Sequence, residues 1–448
     1  MHTIEKTSLF LTGVLCVLVS SANPAQAIYC TYTPPKDDCR IYSVRRVKGK
    51  PLWCHAGIRP SQYPCKLNAS TGGQCTGSSV TCVAPTSWEL GAFRSLEHGN
   101  PSGQPLAAFV ATLAHGTTFV PFDATRQVAF DTFVDGVMAA SNAGLASPNA
   151  PNWCTVKQLA QTAGYHVTRF FDPTTQRWLV YAHDNQTTGH ASFFVNPEPR
   201  RAAVLETPHV GSPGSVNEND TARQGVFLFQ NLAARALVLN GADRCSSSTA
   251  GTCGGQYTGD VCGAGTANTA YHVSDIAHSV TNAFHRFHAR LNTDNTNRFV
   301  QLHGRNIAGK HVTANDGRHD ANNPATVSMA NNFKTEISGQ SISGLTALSC
   351  QDGSATTFCG ETNVQGRLTT HGQPAPQNNT CPPAGMDGTR FLHLEQGRGF
   401  LTAAAMPAQN SWPEIAAALR PITNCVQALD CNIVLPAQQS SISTLACP

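Results

Sequence analysis

The sequence predicts an α/β fold with a mainly parallel or mixed sheet, because short apolar strands alternate with amphipathic helices in its second half. Each strand candidate is an apolar run that is followed by a polar loop. The four candidates are Ala202–Leu205, Ala236–Leu239, Phe299–Leu302 and Arg390–Leu394. Ligands of such folds bind at the carboxyl ends of the strands, so a functional site is expected there.

Two helix candidates lie between these strands. The first begins after Asn219 or Asp220, either of which is a suitable N-cap. The second follows Asp275 and is predicted to run without a break over residues 276–291. The first candidate has apolar side chains at helical spacing, namely Ala222, Val226, Phe229 and Ala233.

The second helix candidate carries three histidines, which we interpret mainly as polar surface. His278 is the exception, together with Asp275, because the start of this helix is expected near the carboxyl edge of the sheet. His311 and His319, further along the chain, are predicted to be loop residues. The three helical histidines are His278, His285 and His288.

The regions around these elements carry weaker patterns. Residues 116–144 predict a strand followed by a helix. Residues 164–199 alternate apolar and polar side chains, which is typical of an antiparallel hairpin or meander. The cysteine-bearing stretches 244–271 and 350–381 are predicted to be surface excursions that disulfides hold in place.

The N-terminus and the cysteines predict export. The first 27 residues have the layout of a secretory signal peptide and end in a small-x-small sequence, Ala25-Gln26-Ala27. Residues 28–85 form a Cys-rich segment, and residues 86–448 form the α/β domain. Of 17 cysteines, Cys16 lies in the signal, and the even remainder is most simply paired as disulfides. We therefore expect a secreted or periplasmic protein without a free thiol.

Composition excludes several classes of function. The net charge is only +3 and charged residues make up 13% of the chain, against about 25% in ordinary domains. No basic groove for nucleic acid is indicated. The apolar run of the signal is too short for a comfortable membrane span, and no other stretch approaches the ~20 apolar residues that a helix needs to cross a bilayer.

Residues suited to metal chemistry follow the strand candidates. Glu206 and His209 follow the first strand, His303 ends the third and Glu395 ends the fourth. A catalytic zinc takes three His, Glu or Asp ligands and keeps one position open for water. His209, His303 and one carboxylate near the first helix would supply that set, and Glu395 would be the general base that activates the water.

Each of these residues also has an ordinary structural interpretation. His209 after a proline is typical of a turn, and Glu395 can pair with a nearby arginine. Glu218 and Asp220 occupy helix N-terminal positions, where the helix dipole favours negative charge in any protein. Other catalytic motifs are missing from the sequence: neither G-x-S-x-G nor H-E-x-x-H is present.

The run from Arg200 to Ile422 resembles the zinc-dependent N-acetylmuramoyl-L-alanine amidases and, equally, the zinc carboxypeptidases and N-formylglutamate amidohydrolases. The resemblance lies in the segments "AAVLETPHVG", "FVQLHG" and "FLHLEQGRGF". It implies a three-layer, phosphorylase/hydrolase-like sandwich. It also implies that His209, Glu218 and His303 bind Zn²⁺ and that Glu395 is catalytic. The "ETPH" stretch leaves Glu206 and Asp220 open as alternative carboxylate ligands.

Two functions follow as hypotheses. The first is an exported zinc-dependent hydrolase that cuts an amide bond in a peptide, a peptidoglycan fragment or an acylated amino acid. Arg244 would hold a substrate carboxylate, since a guanidinium can bind one through two hydrogen bonds. The second is a non-catalytic, disulfide-stabilised binding protein in which the same His and Glu residues are structural.

Overall fold

The structure is a computed structural model. It describes residues 91–113, 116–143, 153–185, 188–210, 218, 220–305, 307–318, 327–357, 359–371, 381–383, 385–397, 411–426, 431, 437–438 and 440. Before residue 91 it describes only the backbone of four short strands. The predicted signal segment lies outside the described residues, and so do His319 and most of the Cys-rich segment 28–85.

The described part of the chain contains fourteen strands, of which ten form one sheet. The first four form two separate antiparallel pairs, β1 with β4 and β2 with β3. The strands are β1 (Thr31–Tyr32), β2 (Ile41–Val47), β3 (Lys50–His55), β4 (Val80–Thr81), β5 (Glu97–His98), β6 (Tyr165–Asp172), β7 (Arg177–Asp184), β8 (Ser192–Val195), β9 (Arg201–Thr207), β10 (Ala234–Leu239), β11 (Arg298–Gly304), β12 (Lys310–Asn315), β13 (Leu345–Ser349) and β14 (Phe391–Gln396).

The described residues also form eight α-helices and two short 3₁₀ helices, the latter at Gly91–Ser95 and Ile276–His278. The α-helices are α1 (Leu106–Thr112), α2 (Ala124–Asn142), α3 (Trp153–Thr162), α4 (Thr221–Leu232), α5 (Ala283–Asn292), α6 (Met329–Ser338), α7 (Val364–Thr370) and α8 (Trp412–Ile422). The fold is therefore α/β, as the sequence predicts.

The ten-stranded sheet is mixed and runs in the order β13-β12-β14-β11-β9-β10-β8-β7-β6-β5. Its centre is a parallel block in which β14, β11, β9 and β10 are neighbours. These are the four strands predicted from the sequence. Their side chains are buried on both faces of the sheet, which explains why their sequences are nearly continuous apolar runs.

Helices cover both faces of the sheet. On one face, apolar side chains of α2, α3 and α5 pack against alternate residues of the central strands, such as Val204 and Phe299. On the other face, α1, α4, α6 and α8 pack against the intervening residues, such as Leu205 and Val300. This alternation follows from the two-residue period of a strand. The meander predicted over residues 164–199 is confirmed as β6, β7 and β8.

Several sequence predictions are wrong in detail. The strand predicted directly before α2 is not formed, because residues 117–123 are irregular in the structure. The second helix candidate is broken, because a 3₁₀ turn at Ile276–His278 precedes α5, which begins only at Ala283. The stretch expected to be an excursion after Cys350 includes α7, and His311 lies in β12 instead of a loop.

Disulfides join cysteines of the predicted excursions. Cys253 bonds to Cys381 and so connects the two excursions to each other. The other described pairs are Cys245–Cys262, Cys350–Cys359 and Cys425–Cys431. Among the helices of the described residues, none is both long and apolar enough to cross a bilayer.

Candidate metal centre

The carboxyl ends of the parallel strands bring the predicted residues together. His209 follows the end of β9 by two residues, and Glu218 lies just before α4. His303 is near the end of β11, directly beside Glu395 of β14 in the register of the sheet. We refer to His209, Glu218 and His303 as the mouth cluster.

The three side chains of the mouth cluster converge on one point. Nδ1 of His209 lies 3.2 Å from Oε1 of Glu218, and Nδ1 of His303 lies 3.7 Å from the same oxygen. The centres of the two imidazole rings are 4.8 Å apart. One potential ligand atom from each of the three buried residues falls within 4.8 Å of the other two. This is the ligand type and number of a catalytic zinc site.

Asp275 orients His209 from the opposite side of its ring. Its Oδ1 accepts a hydrogen bond from Nε2–H of His209 at 3.0 Å. Burial, which by itself lowers the pKa of His209, is outweighed by the charges of Glu218 and Asp275, and the pKa rises to about 9. Nδ1 of His209 therefore carries a proton that lies between His209 and Glu218. A metal ion bound here would replace that proton.

His303 has the opposite electrostatic character. Burial lowers its pKa to about 4, so the ring is neutral near pH 7 and has a single N–H. Its Nε2 lies 2.8 Å from Oε1 of Gln301. Because an amide oxygen only accepts hydrogen bonds, this contact favours the tautomer that has its proton on Nε2 and directs the Nδ1 lone pair toward Glu218. That nitrogen is ready to bind a cation.

Arg244 is ion-paired with the mouth cluster. Its Nη2 contacts Oε2 of Glu218, and the backbone oxygen of Arg244 accepts a hydrogen bond from Ser274 at 2.6 Å. Burial opposes ionisation of Glu218, but the charges of Arg244 and His209 hold its pKa well below the usual value. Glu218 is thus an anion with Oε1 directed at the two imidazoles and Oε2 held by the guanidinium.

The other two carboxylates that the sequence left open lie apart from this point. Glu206 is fully buried, and its Oε1 accepts a hydrogen bond from Nδ1 of His288 at 2.7 Å. Its Oε2 accepts from Nε2 of Gln301 at 3.2 Å. Asp220 is the N-cap residue of α4 and pairs with Arg223 at 3.4 Å. We call Glu206 and His288 the inner cluster, and Gln301 connects it to His303 of the mouth cluster.

Glu395 borders the mouth cluster together with His393. Burial raises the pKa of Glu395 to about 8, and the negative charge of Glu218 adds to the rise. Nε2 of His393 lies 3.5 Å from Oε1 of Glu395, and the His393 ring centre is 4.3 Å from that of His303. His303, His393 and Glu395 form a second group with metal-binding spacing. The two groups share His303, whose Nδ1 faces Glu218.

Sequence reasoning missed two residues of this site. Gln301 and His393 each precede a predicted residue by two positions on a strand, so the period of two places them on the same face. Asp275 was singled out only for its position near the expected site. The prediction of surface histidines is wrong for His285 and His288, which are 4% and 0% exposed.

The residues as a whole can hold one cation. Three ligand atoms converge, Asp275 and Gln301 fix the two imidazoles from behind, and a carboxyl group with a raised pKa lies next to them. Comparison with protein-family models finds no matching family, and no curated protein or solved structure matches the chain.

Proposed function

We propose that this protein is an exported, zinc-dependent hydrolase that cleaves an amide bond. The observation that carries the proposal is the convergence of His209, Glu218 and His303 at the carboxyl edge of a parallel sheet. Two histidines, which bind zinc as neutral imidazoles, and one carboxylate are the ligand set of zinc hydrolases that keep a position open for water. The segments of this sequence that carry these residues also resemble those of zinc amidases and carboxypeptidases in order and local pattern, which supports the same proposal.

The roles of the side chains follow from their contacts. His209, Glu218 and His303 would hold the ion, which when bound supplies a Lewis acid and eases deprotonation of water. Glu395 would accept the proton of the attacking water and deliver it to the leaving nitrogen. A pKa of about 8 lies close to neutral pH, where a group can both take and release a proton.

The main role assigned to Arg244 is to hold Glu218, whereas the sequence predicted that it holds a substrate carboxylate. Because its Nη2 contacts Glu218, it keeps that carboxylate ionised and oriented. Its Nε, a buried donor, lacks a hydrogen-bond partner among the described residues. A substrate carbonyl or carboxylate oxygen would satisfy this donor. The proposed substrates are therefore peptides, peptidoglycan fragments or N-acyl amino acids with an oxygen placed near the scissile amide.

The test is a Glu395→Gln variant, with metal content and amide hydrolysis measured in parallel. It should keep about one zinc per chain, because Glu395 is not a ligand, and lose activity by about 10²–10⁴-fold. Glu97→Gln, at the far edge of the sheet, is the matched control and should keep both. Loss of zinc from Glu395→Gln would make Glu395 a ligand, and full activity would remove it from catalysis.

A specific observation favours the alternative of a non-catalytic binding protein. His209, Arg244, Glu218 and Asp275 neutralise one another without any metal, since two cations face two anions. A purely structural network would have this balance. Zinc content separates the two: purified protein that stays metal-free after incubation with zinc would favour the structural network, and about one tightly bound zinc would favour the hydrolase.

A further inference from the structure

We propose that Gln301 is a positioning residue that fixes the tautomer of His303 and thereby directs the Nδ1 lone pair toward Glu218. The benefit to metal binding rests on the proposed function, whereas the tautomer depends only on hydrogen bonds within the protein. Gln301 lies two residues before His303 on β11, so both side chains are on one face of the sheet. It is fully buried.

The nitrogen side of the Gln301 amide is identified by its acceptors. Nε2 donates to Oε2 of Glu206 at 3.2 Å and to Oε1 of Gln365 at 3.5 Å. Gln365 is itself oriented, because its Nε2 donates to the backbone oxygen of Ile276 at 2.9 Å. Its oxygen is therefore the atom that faces Gln301. Two acceptors on one side require the NH₂ group of Gln301 to be there.

The oxygen side is identified independently by Asn363. Oδ1 of Asn363 accepts a hydrogen bond from the backbone N–H of Gly366 at 2.9 Å, as the N-cap of α7. Its Nδ2 consequently donates to Oε1 of Gln301. A donor in contact with this atom agrees with its being the carbonyl oxygen. The two ends of the Gln301 amide are thus fixed by different elements of the fold.

The orientation of Gln301 determines the state of His303. Oε1 of Gln301 can only accept, so the hydrogen bond of 2.8 Å requires a proton on Nε2 of His303. A neutral imidazole has one N–H, and Nδ1 is left with its lone pair. Partners that fix the tautomer and ring orientation of a histidine ligand typically strengthen metal affinity by about 10–100-fold. Gln301 thus fixes the tautomer and the ring orientation of His303 in the metal-free protein.

The experiment compares Gln301→Met with the wild-type full chain in two measurements. Long-range ¹H–¹⁵N NMR of the metal-free protein reports the tautomer of His303, and competition with a chelator reports zinc affinity. We expect the Nε2–H tautomer in the wild type, a mixture of tautomers in Gln301→Met, and a loss of zinc affinity of about 10–100-fold. Thr369→Val is the matched control: it removes hydrogen bonds to His288 and to the backbone oxygen of Gln365 but leaves the hydrogen bonds of Gln301 in place, and should change neither measurement.

Each outcome decides the proposal. Wild-type tautomer and affinity in Gln301→Met would overturn it, and so would an equal loss in Thr369→Val. A changed tautomer in a protein that never binds zinc would support the role of Gln301 and overturn the metal site. If Gln301→Met fails to fold, the spectrum of the wild type still decides, because the proposal requires the Nε2–H tautomer of His303 there. An Nδ1–H tautomer in the metal-free wild type would overturn the proposal.

Discussion

The mouth cluster and the inner cluster are built from the same kinds of side chain but differ in how their atoms are paired. In the inner cluster, both oxygens of Glu206 accept hydrogen bonds, one from His288 and one from Gln301. In the mouth cluster, Oε1 of Glu218 accepts a hydrogen bond from Nδ1 of His209, and Nδ1 of His303, which carries no proton in the proposed tautomer, faces the same oxygen at 3.7 Å. The inner cluster is complete without a ligand, whereas the mouth cluster is suited to a cation.

This difference separates two residues that are only three positions apart in the sequence. Glu206 is still in β9 and points among buried side chains of α5 and β11. His209 has left the strand and lies beyond its carboxyl end. A buried polar group with all its hydrogen bonds formed contributes to stability, whereas a nitrogen lone pair that faces a carboxylate oxygen costs free energy until an ion is bound between them. We therefore expect substitutions in the two clusters to affect different measurements.

The largest expected effect is on metal binding. His303→Ala should reduce bound zinc from about one per chain to about none, because a site with three protein ligands cannot easily lose one. His288→Ala, the same change in the inner cluster, should destabilise the protein but keep about one zinc per chain. Inductively coupled plasma mass spectrometry of the dialysed, folded protein measures the zinc content per chain. Zinc retained by His303→Ala, or released by His288→Ala, would remove the distinction between the clusters.

The parts that the sequence predicted correctly are those in which local pattern and environment agree. The central strands are buried on both faces, so their apolar runs stand out, and His303 and Glu395 follow at their ends. Once the strands are placed side by side, the carboxyl-edge rule brings His209 near His303 without further information.

The parts that it missed depend on partners far away in the chain. Val280 is buried against Cys253 and Val364, so the helical spacing of apolar residues continues across a segment that is not helical. His288 has the polarity of a surface residue, and its burial is explained by two distant partners, Glu206 on a strand 82 positions earlier and Thr369 in α7. No local rule reports such pairings.

The next effect is on stability. Glu206→Ala should lower the free energy of unfolding by about 2–6 kcal/mol, because it leaves two buried donors, on His288 and Gln301, each without its acceptor at about 1–3 kcal/mol. Urea denaturation measures the change. Glu97→Ala, at an exposed carboxylate that pairs with Lys157, is the control and should stay within about 1 kcal/mol of the wild type. A loss below about 1 kcal/mol for Glu206→Ala would show that the inner cluster is not structural.

A smaller effect is expected behind the mouth cluster. Asp275→Asn keeps the shape of the side chain but removes the charge that faces Nε2 of His209. Zinc affinity should fall by about 10–100-fold, as it does when partners of ligand histidines are altered, while zinc content at saturation stays the same. Asp352→Asn, on the surface beside Lys334, controls for loss of charge. An unchanged dissociation constant for zinc would mean that Asp275 only forms an ion pair with His209 and does not support metal binding.

The smallest effect concerns the break before α5, the helix that carries His288. The side chain of Asn282 accepts a hydrogen bond from the backbone N–H of His285 at 2.8 Å, and its Nδ2 donates to the backbone oxygen of Ser279 at 2.7 Å. Asn282→Ala removes this cap and should cost about 1 kcal/mol of unfolding free energy. Because α5 supports the inner cluster, zinc affinity should not change. Asn282→Ser retains a capping oxygen and should recover part of the lost stability. If Asn282→Ala lowered zinc affinity as much as Asp275→Asn, the two clusters would be coupled through α5.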